Sequence, residues 1–191
     1  MPTLFHVTTP TRARAILRHG FDDRRRNGLG GLWGDGVYLA RDRDTALIYE
    51  DFAAYCRKDW QTLECELTLT NPFRLSVSPA QLRLDGRRYV WDAGELVFAA
   101  HSPAALAAYH TQLRAGAPAC SLIRPLLETY GHDGLLIDDP AFHTALGGNQ
   151  AIVYDPALIT VSGSGEPQSA PEITLRMVER LSPPSCVLLS R

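Results

Sequence analysis

The chain has 191 residues, 45% of them apolar and 21% charged, with a formal charge of -2 and a pI of about 6.3. That is enough chain to bury a core without staples, and a near-neutral balance gives no bulk basicity for holding nucleic acid. Four scattered cysteines, Cys56, Cys65, Cys120 and Cys186, form no Cys-x-x-Cys pair; this fits reduced thiols and argues against a disulfide frame or a zinc site. The start, Met-Pro-Thr-Leu-Phe-His, lacks a basic stretch followed by an apolar run, so no signal peptide is expected. No window approaches the roughly 18 uncharged apolar residues of a membrane span, and the expected location is the cytoplasm.

Thr3 to Val7 reads as a short apolar strand containing His6. Thr9 and Pro10 open a helix whose buried stripe is Ala13, Ile16 and Leu17 and whose end is His19-Gly20. Asp22 to Gly36 holds Arg24, Arg25 and Arg26, then Gly28, Gly30, Gly31 and Gly34. It is too glycine-rich for regular structure and is predicted to be a loop able to face an anion. It has no Walker or Gly-x-Gly-x-x-Gly pattern. Gly34 to Phe52 then reads as a strand, Val37-Tyr38-Leu39, feeding a helix capped by Asp42 or Asp44. Tyr38 and Tyr49 lie near opposite ends of this unit. If the helix folds back beside its strand, their rings flank a slot suited to a flat heteroaromatic ring.

Leu63, Cys65, Leu67 and Leu69 alternate with polar residues, which predicts a half-buried strand ending at Asn71-Pro72. Phe73 to Trp91 is mixed, and Glu95 to Ala100 fits strand or helix. Ser102-Pro103 opens a helix to about Ala115, and Pro118 another to about Tyr130. Leu135 to Ile137 and Gln150 to Tyr154 read as buried strands around a loop, Asp138 to Asn149. From Ser162 to Pro171 the composition shifts to Ser, Gly, Pro and Glu, a linker signal. The expected division is therefore a domain over 1–161 and a linker and tail over 162–191, with Thr174 to Leu181 as an amphipathic helical segment. The tail beyond Ser162 is expected to be dispensable for ligand binding.

Three strand-borne fragments stand out in order: Leu4-Phe5-His6-Val7-Thr8, Gly36-Val37-Tyr38-Leu39-Ala40 and Asn149-Gln150-Ala151-Ile152-Val153-Tyr154-Asp155. With Tyr49, they resemble the diphtheria-toxin-like branch of the ADP-ribosyltransferases, above all the poly(ADP-ribose) polymerase catalytic domains. The resemblance runs from about Leu4 to about Ile159. It implies an α+β fold of two small packed sheets with helices around a cleft, and NAD as co-substrate.

Carried over by position, the resemblance makes His6 the residue that bonds a ribose hydroxyl. It makes the backbone of Val7 the partner of the nicotinamide carboxamide, and Thr8 a ribose contact. Tyr38 and Tyr49 become the two rings around nicotinamide, with Gly30 and Gly36 in and beside the donor loop. Ala46 stands where a serine often adds a bond to the carboxamide. Gln150 stands where the polymerases carry their catalytic glutamate. Glutamine keeps a hydrogen bond there but loses the charge that steadies the positive ribose. The resemblance therefore implies mono-ADP-ribosyl transfer to a protein or nucleic-acid acceptor, with His6, Tyr38 and Gln150 as the catalytic set and no metal.

A toxin or effector role with a neutralising partner protein fits a small free-standing member of that family. The alternative is a non-catalytic NAD or ADP-ribose binding module. RNA 2′-phosphotransferases of the same fold are disfavoured, because Tyr38 stands where they have histidine. Asp138, Asp139 and Glu95 are the other candidate carboxylates, and Phe142 and His143 the candidate acceptor contacts.

Overall fold

The computed structural model describes residues 3–22, 32–77, 83–85, 88–90, 92–139 and 148–170. Their order is β1 (Leu4–Thr8), α1 (Pro10–His19), β2 (Val37–Ala40), α2 (Arg43–Tyr55), β3 (Gln61–Leu67), β4 (Phe73–Ser76), β5 (Arg83–Asp85), β6 (Arg88–Val90), α3 (Ala93–His101), α4 (Pro103–Arg114), α5 (Ala119–Thr129), β7 (Gly134–Asp138), β8 (Gln150–Val153) and β9 (Ile159–Ser164). The fold is α+β, as the sequence suggests. The described strands form one seven-stranded sheet, β4-β7-β8-β2-β1-β3-β9, and a separate β5-β6 ribbon, instead of two packed sheets. Within the large sheet β4 and β7 are parallel, and the other pairs are antiparallel.

The helix boundaries follow local chemistry. Thr9 accepts from the Arg12 amide, and Gly20 closes α1 at a φ of 74°. Asp42, and not Asp44, caps α2 by accepting from the Thr45 amide at 2.7 Å. Ser102 ends α3 and caps α4. The ambiguous stretch around Glu95 is helical because Asp92 caps it and Leu96, Val97 and Phe98 are buried; tertiary packing decides what propensity leaves open.

Leu135–Ile137 of β7 and Ala151–Val153 of β8 are continuous apolar runs because both faces of these strands are covered. Leu135, Ile137 and Ile152 join a core with Val97, Phe98, Tyr109, Ile123 and Leu127 of α3, α4 and α5. Leu136, Ala151 and Val153 join a second core with Leu4, Leu39, Leu63 and Ala13 of α1. These two cores on opposite faces fix the register, since a slip of one residue would exchange them.

The stretch from Ser162 read as a linker does not behave as one. Residues 162–164 are the end of β9. Beyond them the Gln61 side-chain amide donates to the Gly165 carbonyl oxygen at 2.9 Å, Trp60 and Gln168 exchange backbone hydrogen bonds at 2.8 and 3.0 Å, and the Ala170 amide donates to Asp59 at 3.0 Å. Small polar residues suit a solvent-facing edge strand as well as a linker, and β3 supplies the partner here. The expected boundary at 161 thus falls inside β9. The Thr174 to Leu181 segment lies outside the described residues.

Candidate functional site

The sheet is almost divided at its centre. β1 pairs with β3 over five residues, from Leu4 with Cys65 to Thr8 with Gln61, and β2 pairs with β8 over four. Between β1 and β2 the register holds one pair, Phe5 with Ala40. Past that pair, the edge of β1 at His6, Val7 and Thr8 is not laddered to β2. Strand-edge backbone groups at such a seam are available to pair with a ligand.

His6 bridges the seam. Its Nδ1 lies 2.9 Å from the Tyr38 carbonyl oxygen. A carbonyl only accepts, so Nδ1 carries the proton and, in the neutral ring, Nε2 is left as an acceptor. Burial holds the imidazole below its ordinary 6.5, with the Tyr38 carbonyl opposing this and the Arg12 charge reinforcing it. The Phe21 ring stands edge-on to it at 5.1 Å.

A stability consequence follows from that shift. The folded chain takes up the His6 proton at lower pH than the unfolded chain. Its contribution is complete above the unfolded value of 6.5 and is lost as pH falls through the lowered folded value. His101, held low by burial and by the nearby His132, acts in the same sense. Thermal melts between about pH 7 and pH 5 should show Tm falling with acidity, and His6→Gln should flatten that slope. An unchanged slope in His6→Gln contradicts the assignment.

Tyr38 is held at both ends. Its hydroxyl accepts from the Trp33 amide at 2.9 Å and donates to the Gly34 carbonyl at 2.7 Å. The hydroxyl is thus committed to the root of the glycine-rich segment. Burial pushes its ionisation far upward, with Tyr154, Tyr49 and Cys120 close enough to add to the effect. Trp33 itself is wholly buried, at 0% exposure, in the α3–α5 core. Sequence reading passed over it because a tryptophan among glycines looks like loop.

Tyr49 sits on α2, half-buried, and burial raises its ionisation too. Tyr49 lies near enough to Tyr38 for its charge to bear on the Tyr38 hydroxyl. Tyr38 pairs with Ile152 and Ala40 with Gln150, so the Tyr38 and Gln150 side chains share a sheet face as diagonal neighbours, about 7–8 Å apart in such ladders. Gln150 is only 2% exposed.

A polar network that the sequence did not reveal pins α2 beside Gln150. Asn149 donates from Nδ2 to Asp42 at 2.8 Å and from its backbone to the Thr45 hydroxyl at 3.0 Å, and its Oδ1 accepts from the Asp139 amide at 2.8 Å. The Arg41 amide donates to the Asn149 carbonyl at 2.9 Å. Gly148 has a φ of 74°, and a Cβ there would meet the Thr45 hydroxyl at 2.7 Å. The network ties together β7, β8 and the start of α2, and so fixes Gln150 relative to Tyr49. Asn149→Ala should lower stability by about 1–3 kcal/mol, because it leaves the Asp139 amide without its acceptor and takes one donor from the Asp42 carboxylate, which keeps the Thr45 amide. Urea melts check this; a change below about 0.5 kcal/mol contradicts it.

The other expected residues fall as follows. Val7 and Thr8 continue the seam edge of β1. A Cβ on Gly36 would meet Ile152 at 2.6 Å, so close packing of β2 on β8 already demands glycine there. Gly30, with Gly28 and Gly31, and the acceptor candidates Phe142 and His143 lie outside the described residues. Ala46 is buried on α2. Of the alternative carboxylates, Glu95 pairs with His110 on the surface of α3 and α4. Asp138 pairs with Arg41. Asp139 is fully buried and follows the strand that ladders to Gln150 through Ile137.

On the other flank of α2 lies a groove of about 680 Å³, lined by residues including Phe5, Arg43, Glu50, Trp60, Thr62 and Glu64, which sequence reading did not identify. Among the described residues no group of three or more His, Cys, Asp or Glu side chains is placed to hold a metal ion. No described helix is long and apolar enough to cross a membrane.

No family model and no curated protein matches the chain. Among solved structures it is similar to the crystal structure of the M. tuberculosis MbcT–MbcA toxin–antitoxin complex, at 14% identity and a TM-score of 0.44, over 94% of this chain and 87% of that one.

Proposed function

We propose that the chain is an NAD-dependent mono-ADP-ribosyltransferase, moving ADP-ribose to a protein or nucleic-acid acceptor and releasing nicotinamide. The observation that carries this reading is the seam: β1 and β2 part after one pair, and His6 bridges them with Nε2 left as an acceptor. A neutral imidazole acceptor suits a ribose hydroxyl. The unladdered edge at Val7 suits a carboxamide, which needs one donor and one acceptor. Tyr38 and Tyr49 suit the faces of the pyridinium ring. Thr8 adds a hydroxyl toward the ribose and Gly36 lies beside the dinucleotide, while Gly30 is assigned to the donor by the family resemblance alone.

In the reaction, the bond between the nicotinamide nitrogen and ribose C1′ breaks. Its electron pair leaves with nicotinamide, which departs neutral, and the acceptor bonds to C1′ and gives up a proton. The side-chain oxygen of Gln150 turns a partial negative charge toward the electron-poor ribose. This is a weaker device than a carboxylate and fits single transfer better than chain growth. An enzyme consuming free NAD has to be held in check, so a neutralising partner protein belongs to the same reading.

One observation favours a second reading, a module that binds NAD or ADP-ribose without turning it over: Gln150 is uncharged and almost wholly covered. Incubation with NAD labelled in the adenylate and in the nicotinamide, with and without cell lysate, separates the two. The transferase releases nicotinamide and leaves adenylate label on a macromolecule. Binding with neither product leaves the module, and no binding overturns both.

A further inference from the structure

The groove on the other flank of α2 is built apart from the seam. Trp60, Thr62 and Glu64 alternate along the chain at β3 and so point to one face of the sheet. Phe5 of β1 joins them there, because it pairs with Glu64. α2 supplies Arg43 and Glu50, and the chain beyond β9 supplies Glu166. The volume of about 680 Å³ falls in the range of natural ligand sites, roughly 300–1,000 Å³.

Arg43 shows how these walls hold a cation. Its guanidinium lies over the Phe5 ring, 5.9 Å from the centroid, and both terminal nitrogens donate to the Glu50 carboxylate. The Thr62 hydroxyl donates to the same carboxylate at 2.6 Å. An aromatic face and a carboxylate thus grip one guanidinium between them. Trp60 and Glu64 repeat that pair of side chains. Glu166 follows the residue whose amide donates to the Thr62 carbonyl and precedes the Gln168 contact with Trp60. Gly163 leaves room for Glu64, since a Cβ there would meet its Oε2 at 2.9 Å. Among the described residues no cation is paired with Glu64 or Glu166. With three carboxylates and one arginine in its lining, the groove is net negative.

We propose that this groove binds the arginine side chain of a protein segment, stacked on Trp60 and paired with Glu64 and Glu166. Indole is the strongest aromatic partner for a cation. A guanidinium is planar and weakly hydrated, so it stacks and forks onto carboxylates where an ammonium is only a point charge. The net negative lining repels phosphate and nucleic acid. It also repels the α-carboxylate of free arginine, which an arginine within a chain does not carry. The groove's chemistry does not depend on what the seam binds, so it holds for either reading of Gln150.

Titration of the full chain with the capped tripeptide Gly-Arg-Gly, without NAD and followed in the ¹⁵N spectrum, tests this. The Trp60 indole and Gly165 amide signals should shift and saturate. The matching lysine peptide and free arginine should bind more weakly, and the matching glutamate peptide should not bind. Trp60→Ala should weaken binding by about 2- to 30-fold. Glu64→Gln combined with Glu166→Gln should weaken it several-fold; both residues are exposed, so this variant keeps the test available if Trp60→Ala unfolds. No saturable shift, an equal response to the glutamate peptide, or an affinity unmoved by the double glutamate substitution would each overturn the proposal. Free arginine binding as tightly as the peptide would overturn the assignment to a protein segment.

Discussion

Tyr38→Ala is expected to weaken NAD binding strongly. A base stacked on an aromatic ring is worth about 1–3 kcal/mol, or about 5- to 150-fold in affinity. The substitution also releases the root of the glycine-rich segment. The Tyr38 hydroxyl joins the Trp33 amide to the Gly34 carbonyl, and an unmatched buried amide costs about 1–3 kcal/mol. Tyr38→Phe separates the two effects. It keeps the ring and loses the anchor, so it should bind NAD several-fold less tightly and melt earlier than wild type. Calorimetry with NAD alongside thermal melts gives both quantities. Undiminished binding by Tyr38→Ala would remove this ring from the site. Equal losses in Phe and Ala would mean that the anchor, and not the ring face, is what counts.

Nicotinamide release should fall by about 10²-fold in Gln150→Ala, with NAD affinity held within a few-fold. An oriented amide acts chiefly where charge develops, and removing one such dipole costs about 10²–10³ in rate. Gln150→Glu should raise nicotinamide release, because a carboxylate at this place steadies the positive ribose. It should also lower the stability of the ligand-free protein, since Gln150 is 2% exposed and a charge is costly to bury. That stability loss should be relieved by NAD, whose pyridinium brings the opposite charge. Turnover unaffected by Gln150→Ala would move the role to Asp138 or Asp139. Release by Gln150→Glu and none by the wild type would favour the binding module.

Which side chains share the Tyr38–Gln150 face could be read in the sequence, because strand-borne residues obey a period of two. Once β2 and β8 are taken as strands, Tyr38 and Gln150 fall on one face if the register is right, and the apolar runs of β7 and β8 already declare two covered faces. Capping residues likewise set helix starts locally, at Thr9, Asp42 and Ser102. What could not be read depends on partners distant in the chain. Asn149 is an ordinary loop residue until Asp42, Thr45 and Asp139 are brought to it. Trp33 gains its meaning only from the tyrosine five residues on and from the helices that bury it. The strand β9 was hidden because serine and glycine at an edge imitate a linker. The single-pair junction of β1 and β2 was invisible because a ladder's end is set by how two half-sheets diverge and by no residue type.

The ¹⁵N spectrum of the histidine side chains, with the His6 signals assigned by their loss in His6→Gln, tests the seam most directly. At pH 7 His6 should show a protonated Nδ1 and an unprotonated Nε2, and the Nε2 signal should shift on titration with NAD as a ribose hydroxyl donates to it. A His6 Nε2 resonance that stays unmoved up to millimolar NAD, while other signals report binding, would contradict the placement of the dinucleotide between β1 and β2.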